Sequence, residues 1–224
     1  MDVVISLGGS LITPDHIDIE FLKKFERLIV KHVHDGTRFV IICGGGKTAR
    51  NYQYAAANVG ELLRDDLDWI GIHSTRLNAH LLRTIFRDHA HPNIVKDPTK
   101  KLSVKDNILI ASGWKPGWST DYCAVMLAKK FKIKRVLNLS NIDYVYDKDP
   151  KKHKGAKHIK HITWKDFRKL VGNKWDPGLN APFDPVASRL ADELGLEVII
   201  TNGRDVKNLD NILNDKKFKG TIIR

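Results

Sequence analysis

The sequence predicts an α/β protein organised around a mainly parallel central sheet. Three observations carry this: short apolar runs alternate with longer stretches of helical spacing, two of those runs end in glycines that open into helical patterns, and hydrophobic residues make up 42% of 224 positions. Alternation of that kind is the signature of stacked β-α units, and a chain of this length buries a sizeable core.

The first apolar run, Val3–Leu7, leads into Gly8-Gly9-Ser10. Phe21, Leu22, Phe25, Leu28 and Ile29 then recur at helical spacing, with Gly36 placed where that helix should stop. The helix returns the chain to a second strand, Phe39–Cys43, which opens into Gly44-Gly45-Gly46-Lys47. Periodicity predicts helices over residues 48–59 and 68–89, and further strands near Ile94, at Ile108–Ala111, at residues 135–139 and 198–201, and at Thr221–Ile223. Residues 173–185 hold three of the eight prolines and read as an irregular, mobile loop. No internal repeat or long linker is visible. Residues 1–224 are therefore expected to form a single domain on one continuous sheet, with a weak seam near Gly113 between two functional halves, about 1–120 and 121–224.

The formal charge of +12 draws anions to the surface. Nucleic acid is the first partner to consider, but the basic residues are scattered, and the densest run, residues 148–160, reads as a solvated face. Zinc-finger spacing, a basic zipper and an aromatic RNA-binding signature are all absent, which argues against nucleic acid. No apolar run approaches the roughly 20 residues of a membrane span, and no basic segment precedes an apolar signal core. With two cysteines in no disulfide-like pattern, the expected location is cytoplasmic.

Glycine lacks a Cβ, so its amide can approach a phosphate closely, and a following helix N-terminus adds free N–H groups and partial positive charge. Neither corner matches G-x-G-x-x-G or G-x-x-x-x-G-K-[ST], and a glycine pair after a strand also serves a plain tight turn. Two such corners in one chain point to two phosphate-bearing ligands. Three further clusters supply context. Gly113 through Asp121 follows a strand and opens a helix; Ser119 or Thr120 suits its cap, and Asp121 suits a cation or metal, although capping alone would explain the residues. Ser140, Asn141, Tyr146 and Asp149 at a strand exit offer the flat face and directional groups that a purine needs, as would a polar turn with buried tyrosines. Asp68, at an expected helix start, could accept from ribose hydroxyls or cap the helix.

Taken in order, Gly8-Gly9-Ser10, the run from Gly44 to Tyr52, Asp68-Trp69-Ile70-Gly71-Ile72, Ser119-Thr120-Asp121, Asn141-Ile142-Asp143, Tyr146, Asp149-Pro150 and Asp184-Pro185 resemble the amino acid kinase superfamily, and most closely its archaeal-type uridylate (UMP) kinases. The resemblance implies a three-layer α/β/α sandwich, transfer of phosphate from ATP to UMP with Mg²⁺, and a homo-oligomer, commonly a hexamer. It places Gly9, Ser10, Gly46, Arg50, Ser140, Asn141, Tyr146 and Asp149 around ATP. It places Gly45, Asp68, Trp114, Lys115, Pro116, Gly117, Trp118, Ser119 and Thr120 around UMP, and assigns no resident metal ligands. Phosphoryl transfer needs positioning and charge neutralisation more than covalent chemistry, so Arg50, Lys47 and Asp121 are the expected catalytic groups.

Three positions depart from the family pattern. Ser6 stands where many members carry a lysine, leaving Lys47 first and Lys115 second as the compensating cation. Tyr144 replaces a usual glycine and narrows or reshapes the ATP pocket. Trp114 and Trp118 either stack on a base, wall the pocket or pack within their loop. Two alternatives follow: a non-catalytic nucleotide-binding or storage protein on the same fold, and a kinase for another small phosphorylated acceptor. The second is weakened because no histidine stands beside Gly44.

Overall fold

The computed structural model describes residues 1–150, 152–172 and 181–224. In chain order the elements are β1 (Val3–Leu7), α1 (Gly9–Ile12), α2 (Ile19–His34), β2 (Phe39–Cys43), α3 (Gly46–Val59), α4 (Arg64–Ile85), β3 (Ile108–Ala111), α5 (Thr120–Phe131) and β4 (Arg135–Ser140). A hairpin of β5 (Val145–Tyr146) and β6 (His158–Ile159) follows, then β7 (His161–Ile162), α6 (Trp164–Val171), α7 (Pro185–Glu193), β8 (Glu197–Asn202), α8 (Val206–Leu213) and β9 (Thr221–Ile223).

Among the described residues the main sheet runs β3-β2-β1-β4-β8-β9-β7. The first five strands are mutually parallel, with Leu7 level with Cys43 and Leu139, while β9 and β7, parallel to each other, run opposite to them. Side chains alternate between the two faces along each strand, which sorts them into two cores. Ile5 and Leu7 of β1 join α2, α4 and α8 through Phe25, Leu82 and Leu209. Val4 joins the opposite layer, where Cys123 and Ala124 of α5, Phe167 of α6 and Ala187 of α7 cover the sheet. The result is an α/β/α sandwich.

The sheet reverses its winding between β1 and β4: β2 and β3 extend to one side of β1, and β4 and β8 to the other. In open parallel sheets the crevice at that reversal, outside the carboxyl ends of the strands, is where ligands bind. The loops leaving β1, β2, β3, β4 and β8 all emerge there.

Three sequence expectations change. The strand expected near Ile94 is reduced to isolated bridges, Ala90 with Ile108 and Val95 with Ala111. Pro92 between them has no N–H to continue a ladder. The helix expected over residues 68–89 instead spans Arg64–Ile85, because the Leu63 N–H donates to Asp66 Oδ2 at 2.9 Å and starts the helix a turn earlier. Asp68 is therefore interior to the helix, not at its start. The irregular loop expected over residues 173–185 falls largely outside the described residues.

Phe25 anchors the α2 layer, stacked on Phe21 at 5.6 Å and edge-on to Phe86 at 6.2 Å between centroids. Phe25→Ala is expected to lower unfolding stability by about 3–5 kcal/mol, read as a reduced urea midpoint at unchanged slope.

Candidate functional site

The two glycine corners lie against each other at the carboxyl end of the sheet. The Gly8 N–H donates to Leu139 O and the Gly44 N–H to Leu7 O, so each corner is tied to the neighbouring strand as it leaves its own. A Cβ built on Gly9 would fall 2.0 Å from Gly46 N and 2.7 Å from Gly44 O, and one on Gly44 would fall 2.5 Å from Gly9 N. Only hydrogen fits between these two backbones. Gly46 also has φ +65°, a left-handed conformation that lets the chain turn into α3. The contact is pinned from both flanks: Lys47 N donates to Thr13 O at 2.9 Å, and Asn78 of α4, buried, donates from Nδ2 to Gly44 O at 2.8 Å.

Two helix N-termini thus open at one place, α1 after Gly8 and α3 after Gly45, and neither receives a side-chain cap. Lys47 and Arg50 sit in the first turns of α3 and form no ion pair among the described residues. Free amides and unpaired cations at a crevice make an anion site.

Beneath the corners lies a half-buried carboxylate that sequence reasoning named without its partners. Asp121, in the first turn of α5, accepts at Oδ1 from Ser6 Oγ at 2.9 Å and from Asn138 Nδ2 at 3.3 Å, and at Oδ2 from the Asp184 N–H at 3.2 Å. Burial first, and the neighbouring Asp184 carboxylate second, raise Asp121 from the ordinary carboxylate range to about 6. Asp184 is raised too, chiefly by burial. Its Oδ1 accepts from the Ala187 N–H at the start of α7, whereas Oδ2 is buried with no hydrogen bond. Ser6 and Asp184 stand out in the sequence only as a departure from, and a part of, the family pattern, and Asn138 does not stand out at all; their convergence on Asp121 is visible only in the structure.

The third wall is the loop of residues 113–120. Ser119 caps α5, accepting from Tyr122 N at 3.1 Å. Asp68 Oδ2 accepts from the Gly117 N–H at 2.8 Å, Thr75 Oγ1 accepts from the Gly113 N–H at 2.8 Å, and Arg76 Nη2 donates to Trp114 O at 3.3 Å, so α4 holds the loop at three points. Asp68 does not cap its helix. Trp114 and Trp118 pack on one another at 5.8 Å, and Trp118 on Tyr122 at 4.2 Å, so their rings form the wall of the loop. Lys115 Nζ lies 4.3 Å over the Trp114 ring, which occupies that cation, while Lys47 has no such contact.

Beyond β4, the Ser140 hydroxyl accepts from Ile142 N, Asn141 is exposed, and Tyr146 pairs with His158 across the β5–β6 hairpin that carries Asp149 onward. Tyr144 packs its ring on His158 at 4.7 Å. Both cysteines are buried and free, and burial pushes the Cys123 thiol up to about 12, so neither is a nucleophile at neutral pH. Among the described residues no helix is long and apolar enough to cross a membrane.

Comparison with known proteins matches residues 1–202 to the model described as "Amino acid kinase family". A uridylate kinase of Thermoplasma volcanium is 33% identical, over 96% of this chain and 93% of its own length. One from Methanocorpusculum labreanum is 31% identical, over 99% and 94%. The crystal structure of the Archaeoglobus fulgidus uridylate kinase superposes with a TM-score of 0.85 at 28% identity, covering all of both chains.

Gly9→Ala is expected to cost about 1–3 kcal/mol in thermal or urea unfolding, whereas Gly60→Ala, with nothing within 4 Å of its built Cβ, should destabilise far less. Asp121 yields a pH signature. Its folded-state pKa of about 6 lies above the unfolded value of 3.8, so the folded chain keeps a proton that the unfolded chain releases. Its contribution is present below pH 4 and lost as pH rises to 6, by about 3 kcal/mol. Asp121→Asn should flatten that decline in urea titrations across pH 4–6.

Proposed function

The chain belongs to the amino acid kinase family, and on that premise we propose that it transfers the γ-phosphate of ATP to UMP, giving ADP and UDP. The observation that carries this reading is the abutment of two uncapped glycine corners, which suits two phosphate groups meeting end to end. Identity above 30% over nearly the full length of named uridylate kinases supports UMP as the acceptor.

In this reading the amides of Gly9, Ser10 and Gly46 with Arg50 hold the ATP phosphates, while Ser140, Asn141, Tyr146 and Asp149 hold its nucleoside. Gly45, Asp68 and the loop of Trp114, Lys115, Pro116, Gly117, Trp118, Ser119 and Thr120 hold UMP, with Asp68 acting by clamping Gly117. The halves at about 1–120 and 121–224 then serve chiefly acceptor and donor. A UMP phosphate oxygen attacks the γ-phosphorus in line as the bond to the β-phosphate oxygen breaks. Lys47 and Arg50 oppose the charge that spreads over the transferred group, and Asp121 holds Ser6 and the α7 N-terminus in place around it.

Among the described residues no cluster of three or more His, Cys, Asp or Glu side chains could hold a metal alone. Such a chain suits Mg²⁺ that arrives on the triphosphate and borrows one or two carboxylates. The bare Oδ2 of Asp184, beside Asp121, fits that need. When bound, the ion neutralises charge on the β- and γ-phosphates.

Nucleotide binding without transfer is favoured by one feature: Ser6 gives its hydroxyl to Asp121, so β1 sends no cation into the crevice. A homo-oligomer, by resemblance a hexamer, is supported by the apolar face of α3 and α4, where Tyr52 is 67% and Leu77 63% exposed. A cytoplasmic location suits a nucleotide kinase.

A coupled assay with ATP, Mg²⁺ and UMP is expected to form UDP, and Arg50→Ala to lower kcat about 100-fold. Nucleotide binding with no turnover on any nucleoside monophosphate would replace this reading with the binding-protein one. Leu77→Asp should reduce the mass measured by light scattering while leaving the circular dichroism spectrum unchanged.

A further inference from the structure

At the β9–β7 edge of the sheet lies a cavity of about 820 Å³ that the reading above does not use. Lys160, Lys207, Lys216, Lys217 and Lys219 line it together with Tyr144, and none of the residues assigned to ATP or UMP is among its walls. We propose that this cavity is a second binding site, for a nucleoside triphosphate, separate from the glycine corners.

The charge around the cavity is net positive. Two carboxylates line it against the five lysines: Asp205 Oδ1 accepts from Asn208 N at 2.9 Å as the cap of α8, and Asp215 Oδ1 is already paired with Arg135 Nη1 at 2.6 Å. None of the five lysines forms an ion pair among the described residues. Five ammonium groups around one concavity repel one another, a cost that a bound polyanion removes.

The rim is built, not frayed. Asn208 is buried and reaches from α8 into the loop of residues 215–220, accepting from Lys219 N at 2.8 Å and donating to Lys219 O at 2.7 Å. Thr201 Oγ1 donates to the same carbonyl at 2.8 Å. Lys216 N donates to Asn211 O, so the loop that carries three of the lysines is tied to α8 on either side of its tip. The loop begins at Asp215 with φ +52°, a left-handed conformation uncommon outside glycine, which the Arg135 contact helps to hold.

The cavity also has a flat apolar element. Tyr144 lines it while its ring rests on His158, which fixes the ring as a platform for a base. The volume falls within the roughly 300–1,000 Å³ usual for small-molecule sites. Compact negative charge plus an aromatic ring describes a nucleotide; the polyphosphate chemistry alone would also suit inorganic tripolyphosphate.

The test counts ATP equivalents on the full chain by calorimetry, in the wild type and in a Lys207→Ala/Lys216→Ala/Lys217→Ala variant. The wild type should bind one equivalent more than the variant, or hold that equivalent at least about tenfold more tightly. The variant should keep the wild-type melting temperature and its capacity to form UDP. The readout is a difference, so failure of the kinase reading would alter both counts and leave the difference intact. Tyr144→Ala should weaken the edge equivalent for ATP and not for tripolyphosphate. Equal counts with equal affinities in the two proteins overturn the site, and an edge equivalent that Tyr144→Ala leaves unchanged overturns the nucleotide assignment. Filling of the edge by a single-stranded oligonucleotide but not by ATP also overturns it.

Discussion

The rest of the site depends on one steric constraint: two strand exits approach so closely that neither can carry a side chain. With Gly9 against Gly44 and Gly46, the amides of α1 and α3 open at the same point, and two helix dipoles add their positive ends there. A Cβ on Gly9 or Gly44 would fall within 2.5 Å of the facing backbone and force the two corners apart. The sheet makes this approach possible because β1 and β2 are adjacent, parallel and in register to their last residues, Leu7 beside Cys43.

Beneath that contact the protein tolerates an expense. Asp184 is buried and Asp121 half-buried, both are raised in pKa, and they lie close enough that one unsettles the other. Ser6, Asn138 and a backbone N–H satisfy Asp121, yet Asp184 keeps one oxygen bare. A buried carboxylate oxygen without a donor costs stability, and such costs concentrate where a ligand supplies the missing charge. The pair therefore belongs to the same functional economy as the glycine corners: negative charge held below, positive dipoles and cations above, with room between for phosphate and a divalent ion.

The substitutions that set this chain apart from its family pattern have local accounts. Trp114 and Trp118 pack with Tyr122 to stiffen the loop clamped by Asp68 and Thr75. Tyr144 packs on His158 and lines the basic edge. The scattered lysines that argue against a nucleic-acid surface are, in three dimensions, partly gathered: Lys160, Lys207, Lys216, Lys217 and Lys219 come from separate segments of the chain but share one cavity.

Whereas the two-residue strands β5 to β7 and the helices α1, α6, α7 and α8 were not named, the strands β1 to β4, β8 and β9, the helices α2 to α5 and both corners were legible from local pattern, since apolar period and glycine placement act over a few residues. Even there, the start of α4 escaped periodicity because a single Asp66 carboxylate decides it, and the strand expected near Ile94 failed because Pro92 breaks the ladder. What the amino-acid order alone determined is which segments bury their faces and where the backbone can turn without a Cβ. Tertiary structure alone decided that Gly9 meets Gly46, that Ser6, Asn138 and Asp184 converge on Asp121, and that Asp68 clamps Gly117. These contacts join residues far apart in the chain, and their energies come from register and burial, which no local window contains.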